Sequence, residues 1–108
     1  MSTLLVIDDD RLHCDLLQMA LARHGYQVSI ATSGREGVVL FRQLHPLVTL
    51  LDLRMPEMDG LELARRIRAD PRFAGTGLVL ITSGSQRSEV KMFLSAGFGA
   101  CLFKPLVR

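Results

Sequence analysis

Short apolar runs alternate along the chain with longer stretches in which apolar residues recur every three to four positions. The runs predict β-strands at residues 3–7, 27–31, 47–51, 78–82 and 100–103. Three of these runs are almost continuously hydrophobic, which is typical of strands that helices cover on both faces of a parallel sheet. The run at 27–31 is more polar and indicates a strand at the edge of the sheet.

The stretches between the runs have the period of amphipathic helices. The residues that carry this period are Leu12, Leu16, Met19 and Ala20; Val38, Leu40, Phe41 and Leu44; Leu61, Ala64 and Ile67; and Val90, Phe93 and Leu94. Helix-end signals agree with this pattern. Asp10 is the expected N-cap of the first helix, and Asp59 with Glu62 forms an acidic variant of the capping box for the third. Gly25 and Gly97 are expected to end helices.

Strands and helices in the order βαβαβαβαβ predict an α/β fold with a doubly wound, open parallel sheet of five strands. In such folds, ligands bind beyond the carboxyl ends of the strands. One residue conflicts with its local context. Gly37 lies inside the second predicted helix, where glycine costs about 1 kcal/mol relative to alanine, and the local sequence offers no reason for it.

Polar residues follow four of the five predicted strands. Asp8, Asp9 and Asp10 come after the first strand, Asp52 after the third, Thr82 at the end of the fourth and Lys104 after the fifth. In a parallel sheet these side chains share one edge. Carboxylates converging there would repel one another unless a cation lay among them, and oxygen ligands suit Mg²⁺. A hydroxyl and an amine at the same edge suit the oxygens of a phosphoryl group.

Composition narrows the class of protein. The chain has 108 residues, 48% of them hydrophobic and 22% charged, which is ordinary for one globular domain. A net charge of +2 is too small to argue for nucleic-acid binding, which needs a concentrated basic face, so we expect no direct binding of nucleic acid. No apolar run could span a membrane, and the acidic triplet interrupts any signal-peptide core. We therefore expect a cytoplasmic protein that does not bind membranes.

The cysteines and histidines offer no further chemistry at this stage. Cys14 and Cys101 cannot define a disulfide framework or a four-ligand zinc site, and they are expected to pack as small hydrophobic residues. His13, His24 and His45 lack the spacing of metal ligands. We expect all three histidines to lie on helix surfaces.

Four segments in order carry a resemblance to a known family: LLVIDDD, LVTLLDLRMPEMDG, LVLITSG and SAGFGACLFKPL. Together they resemble the receiver domain of bacterial two-component response regulators across nearly the whole chain. The resemblance implies a flavodoxin-like strand order of 2-1-3-4-5 and one receiver domain over residues 1–108. It also implies an incomplete C-terminal end, because the family continues into a fifth helix after the position of Arg108.

The resemblance also implies a role for each residue at the edge of the sheet. Asp52 would be the phosphorylated aspartate, Thr82 would hydrogen-bond the phosphoryl group, and Lys104 would pair with it. The implied Mg²⁺ ligands are Asp9, Asp52 and the backbone carbonyl of Arg54, with Asp8 holding a metal-bound water. Many receivers carry an aromatic residue three positions before the lysine, and here that position is Cys101.

The function implied by the resemblance is a signalling switch rather than a metabolic enzyme. A histidine kinase or histidine phosphotransfer protein would supply the phosphoryl group, and a downstream output domain or target protein would receive the signal. A fifth helix would cover part of one sheet face, so without it we expect self-association through that face, exchange of elements with a partner, or marginal stability.

Other functions remain open at the level of sequence. A pseudo-receiver would use the same fold as a constitutive interaction module, although the full acidic set argues against it. A flavodoxin-like cofactor protein needs a loop rich in Gly, Ser and Thr after the first strand, where this chain carries three aspartates. A metal-dependent phosphohydrolase with an aspartate nucleophile usually has a second acid two residues later, where this chain has Arg54.

Overall fold

The structure is a computed structural model that describes residues 3–52, 60–71, 76–82 and 100–103. Its elements are β1 (Thr3–Ile7), α1 (Arg11–Ala22), β2 (Gln27–Ala31), α2 (Gly34–Leu44), β3 (Val48–Asp52), α3 (Gly60–Ala69), β4 (Gly77–Thr82) and β5 (Ala100–Phe103). The five predicted strands are confirmed, with β3 displaced by one residue so that it includes Asp52. The helix predicted around Val90, Phe93 and Leu94 lies outside the described residues, as does Asp59 of the proposed capping box.

The strands form one parallel sheet in the order β2-β1-β3-β4-β5. The predicted doubly wound architecture and the strand order implied by the family resemblance are therefore confirmed, and β2 is an edge strand as its polar sequence indicated. Because β1 lies between β2 and β3, its carboxyl end adjoins the point where the strand order reverses. Among the described residues, no helix combines the length and the apolar character needed to cross a bilayer.

Two hydrophobic clusters lie on opposite faces of the sheet, because successive side chains of a strand point to opposite sides. Leu5 and Ile7 of β1 belong to the larger cluster, which α2 and α3 cover with Phe41 and Ile67. The second cluster contains Val6 of β1 and is covered by α1. Its buried members are Val6, Cys14, Leu17 and Leu50. Each face of the sheet thus buries its own helix layer, as the apolar runs predicted.

Helix α1 begins where expected but buries a face that its apolar period did not indicate. The Asp10 side chain caps it by accepting the His13 backbone N–H at 3.3 Å, which confirms the predicted N-cap. Three of the four residues that carried the helical period are exposed, namely Leu12 at 68%, Met19 at 60% and Leu16 at 37%, and the fourth, Ala20, is only partly buried. The face toward the sheet instead carries His13, Cys14 and Leu17. The prediction that His13 lies on the helix surface is therefore wrong.

The backbone around Gly37 explains the glycine inside α2. This helix crosses β1 so closely that a Cβ atom at Gly37 would lie 2.5 Å from Cδ1 and 3.0 Å from Cγ1 of Ile7. Ile7 is completely buried, so its side chain has little room to move away. Glycine at this position lowers the stability of the helix, but it allows α2 to pack closely against β1, the strand that leads into the acidic edge.

Candidate functional site

The register of β1 against β3 brings two aspartates together at the carboxyl edge of the sheet. Ile7 pairs with Leu51, and Val6 pairs with Leu50 one residue earlier. Asp8 follows Ile7 and Asp52 follows Leu51. Because successive side chains along a strand point to opposite faces, both aspartates point toward the side of the sheet that α1 covers. Asp8 is completely buried, and Asp52 is 5% exposed.

Three carboxylates meet at this edge. Ligand atoms of Asp8, Asp9 and Asp52 all lie within 4.8 Å of one another, and Asp9 is the exposed member. With an effective dielectric constant of about 20, two full charges at that distance repel by about 3 kcal/mol. The repulsion is smaller where solvent reaches the charges. A hard divalent cation would replace that repulsion with attraction. All three donors are carboxylate oxygens, which are the donors that Mg²⁺ prefers, so the residues fit this ion.

Asp8 is held by hydrogen bonds at its backbone and at both carboxylate oxygens. Its N–H donates to the carbonyl of Ala31 at 3.0 Å, and its own carbonyl accepts from Sγ of Cys14 at 3.3 Å. Oδ1 accepts the backbone N–H of Asp10 at 2.9 Å, and Oδ2 lies 2.8 Å from Nδ1 of His13. This carboxylate is therefore fixed by the first turn of α1 as well as by the sheet.

His13 was not predicted as a site residue, because the apolar stripe that includes Leu12 and Met19 indicated the wrong face of α1 as the buried one. His13 and Cys14 follow the N-cap Asp10 by three and four residues, which are the positions of the first helical turn that return toward the end of β1. A helix cap directly after a candidate metal ligand was the available signal. It places the third residue of α1 next to the strand end, whatever the hydrophobic pattern further along the helix.

Cys14 packs as a small hydrophobic residue, as predicted. It is completely buried in the cluster beneath α1. Burial, and then the negative charge of Asp8, raise the pKa of the Cys14 thiol from 9.0 to about 12. The thiol is consequently a proton donor to the Asp8 carbonyl and not a nucleophile at neutral pH.

The structure places only some of the other residues that the sequence assigned to the site. Thr82 is the last residue of β4 and pairs with Phe103 of β5, one residue beyond the Asp52–Ile81 pair, so it ends at the same edge. Cys101 lies within β5. Arg54 and Lys104 lie outside the described residues, and their assigned roles stay predictions.

A family model decides the identity of this fold. The model of the response regulator receiver domain matches residues 4–108. The chain belongs to the response regulator receiver domain family. The predicted resemblance is therefore confirmed, and the fold of the chain is that of a response regulator receiver domain.

Curated relatives of this receiver domain are bacterial regulators. It is 33% identical over 106 residues to the transcriptional regulatory protein AfsQ1 of Streptomyces coelicolor, covering 98% of this chain and 46% of the relative. It is 30% identical over 102 residues to the DNA-binding response regulator MtrA of Mycobacterium tuberculosis, covering 94% of this chain and 43% of the relative. The chain thus spans less than half the length of these relatives.

A solved structure agrees with the fold of the receiver domain. The signal receiver domain of a DNA-binding response regulator from Colwellia psychrerythraea 34H superposes with a TM-score of 0.92 at 26% identity. The match covers 100% of this chain and 89% of that one. The parallel sheet and its helix layers are therefore those of a known receiver domain.

Proposed function

We propose that this receiver domain is a phosphorylation-controlled switch that accepts a phosphoryl group on the carboxylate of Asp52. The donor would be the phosphohistidine of a histidine kinase or of a histidine phosphotransfer protein. The observation that carries the proposal is the meeting of Asp8, Asp9 and Asp52 within 4.8 Å at the carboxyl edge of β1 and β3. We also propose that residues 1–108 act as one domain.

The proposed transfer exchanges one bond to phosphorus for another. A carboxylate oxygen of Asp52 forms the new P–O bond while the P–N bond of the phosphohistidine breaks, and the imidazole nitrogen retains the electron pair and takes up a proton. Asp52 needs no general base, because a carboxylate is ionised at neutral pH. Asp52 is only 5% exposed, and this burial also limits the access of water to the aspartyl phosphate that the transfer would form.

The main obstacle to this transfer is electrostatic, because an anionic nucleophile must approach an anionic phosphoryl group. Bound Mg²⁺ would supply the compensating positive charge. Asp9, Asp52 and the backbone carbonyl of Arg54 would hold the ion directly, and Asp8 would hold it through a metal-bound water. In this proposal the hydroxyl of Thr82 donates to a phosphoryl oxygen, and the ammonium group of Lys104 pairs with another.

The relatives bear on the signal that follows phosphorylation. AfsQ1 is named a transcriptional regulatory protein, and MtrA is named a DNA-binding response regulator. We propose that phosphorylation of the receiver domain changes its contact with an output domain or a target protein. Nucleic acid would be bound by that partner and not by the receiver surface.

Labelling of Asp52 tests the proposal. Acetyl phosphate should phosphorylate the wild-type protein only when Mg²⁺ is present, and intact-mass spectrometry should detect one added phosphoryl group. Asp52→Asn should abolish labelling while preserving the fold, because the two side chains have nearly the same shape. Asp15→Asn is the matched control, since Asp15 lies on α1 and pairs with Arg11 at 3.2 Å instead of joining the cluster.

Two results would contradict the proposal. Labelling that is undiminished in Asp52→Asn would place the phosphoryl group on another residue. A folded wild-type protein that is never labelled, with or without Mg²⁺, would favour the pseudo-receiver, in which the domain binds its partner constitutively.

A further inference from the structure

His13 is a buried histidine whose imidazole has one described hydrogen bond, to Asp8 of the acidic cluster. Its side chain is 8% exposed, and Nδ1 lies 2.8 Å from Oδ2 of Asp8, whose side chain is completely buried. Because an ionised carboxylate can only accept, Nδ1 carries the shared proton. The pair joins the first turn of α1 to the end of β1.

Packing alone does not account for a histidine at this position. Among the described residues, Nε2 of His13 is buried and has no hydrogen-bond partner. A buried polar atom without a partner is unfavourable, so an apolar side chain would fill the same space at lower cost. Cys14 and Leu17, the neighbours of His13 on the inward face of α1, are apolar in this way. Among the residues that the structure describes, the polar interaction that favours the imidazole is its contact with Asp8.

Contacts on both oxygens define the plane of the Asp8 carboxylate. The Asp10 backbone N–H approaches Oδ1 at 2.9 Å from the N-terminus of α1, and His13 approaches Oδ2 from one turn further along. Two donors on different oxygens restrict rotation about the Cβ–Cγ bond of Asp8. The orientation that they select is the one in which Asp8 joins Asp9 and Asp52 within 4.8 Å.

We infer that His13 is a positioning residue of the metal site. Its Nδ1–H fixes the Asp8 carboxylate toward the shared cation position, so that Asp8 does not have to be ordered when the ion binds. The inference rests on the proposed function, because it assumes that the three aspartates hold Mg²⁺. Groups that orient metal ligands in this way typically change metal affinity by 10-fold to 100-fold when they are removed.

Variants that keep or remove the donor test this role. An asparagine side chain would place its Nδ2–H₂ group where the imidazole has Nδ1, so His13→Asn should keep Mg²⁺ affinity within about threefold of wild type. His13→Leu fills similar space without a donor, and calorimetric titration with Mg²⁺ alone should show affinity reduced by about 10-fold. Leu17→Val is the control, since it disturbs packing one turn along α1 at a side chain that offers no hydrogen-bond donor to Asp8.

A double-mutant cycle separates positioning from a purely structural role. In an Asp8→Asn background, His13→Leu should cause no further loss of Mg²⁺ affinity, because the carboxylate on which His13 acts is gone. Equal losses in the wild-type and Asp8→Asn backgrounds would overturn the inference. So would a folded His13→Leu protein that binds Mg²⁺ as tightly as wild type.

A measurement on the unmodified protein covers the case in which the leucine variant does not fold. Nitrogen-15 NMR of the imidazole should show a proton on Nδ1, with a resonance that shifts along the same curve as Mg²⁺ binding. An Nδ1 without a proton, or a resonance that Mg²⁺ does not move, would refute the inference. If wild type itself bound no Mg²⁺, the proposed function would fail, whereas wild-type binding with unaffected His13 variants would refute the role of His13 alone.

Discussion

Replacing Gly37 with alanine tests how closely α2 approaches the strand that carries the acidic edge. Helix propensity by itself favours the substitution, because alanine in a helix interior is about 1 kcal/mol better than glycine. The packing at this position opposes it. The added methyl group would lie 2.5 Å, 3.0 Å and 3.1 Å from Cδ1, Cγ1 and Cγ2 of Ile7. All three distances are shorter than ordinary van der Waals contacts.

The packing cost should exceed the gain in helix propensity. Ile7 is completely buried within the larger hydrophobic cluster, and its branched side chain is stiff, so the overlap cannot be relieved by moving one flexible atom. Overpacking of this kind typically costs about 1–3 kcal/mol. Because three atoms of one side chain are involved, we take the upper part of that range. The expected net effect of Gly37→Ala is a loss of about 2 kcal/mol in the free energy of unfolding.

Urea denaturation of four proteins measures this effect: wild type, Gly37→Ala, Ile7→Val and the double variant. Valine lacks Cδ1, the atom nearest to the new methyl group, so Gly37→Ala should cost about 1 kcal/mol less in the Ile7→Val background. A Gly37→Ala protein that is about 1 kcal/mol more stable than wild type would show that only helix propensity matters there. Additive effects within about 0.5 kcal/mol would likewise refute the contact with Ile7 as the cause.

Three further predictions concern buried and acidic side chains. Thr49 has a buried hydroxyl without a hydrogen-bond partner among the described residues. Thr49→Val should therefore stabilise the fold by about 1 kcal/mol, which thermal melts would show as a rise of roughly 4 °C in melting temperature. A fall in melting temperature would contradict this prediction. Asp9→Ala should weaken Mg²⁺ binding at least about tenfold in calorimetry, because a charged oxygen ligand is lost. In EDTA the same variant should be more stable than wild type, because one of three repelling carboxylates is gone. Unchanged Mg²⁺ affinity would leave Asp9 with no role at the site. Burial, followed by the charge of Asp8, raises the pKa of Cys14 to about 12, so iodoacetamide at pH 8 should label it only after unfolding. The unfolded thiol ionises near its ordinary pKa of 9.0, and the stability of wild type relative to Cys14→Ala should therefore fall as the pH rises from 9 toward 12; a difference independent of pH would refute the shift.

The acidic edge could be predicted from sequence because its position depends on strand ends and not on side-chain packing. Apolar runs defined β1 and β3, and a parallel sheet necessarily brings the residues after such strands to one edge. The contact between His13 and Asp8 could not be predicted in the same way. Two helical stripes compete along α1, and the one with more apolar residues, which includes Leu12 and Met19, lies outward.

The face that α1 buries is set by how the chain leaves β1, and hydrophobic periodicity does not encode that exit. The cap at Asp10 and the crossover to β2 rotate His13 and Cys14 toward the sheet. Gly37 is a similar case, since its reason is a contact with Ile7, thirty positions earlier in the sequence. In both cases a local pattern was overruled by the distance between a helix and the strand beneath it.

The pairing of Ile7 with Leu51 also restricts which insertions and deletions the chain can accept. A single residue added within β1 or β3 would turn Asp8 or Asp52 toward the opposite helix layer, since side chains alternate along a strand. The same residue added to a surface connection would leave the acidic edge unchanged. Length variation in descendants of this sequence should accordingly be confined to the connections. Any ion bound by the three aspartates would also favour the correctly aligned pair of strands over a shifted pair by mass action, and so would act as a check on strand alignment during folding.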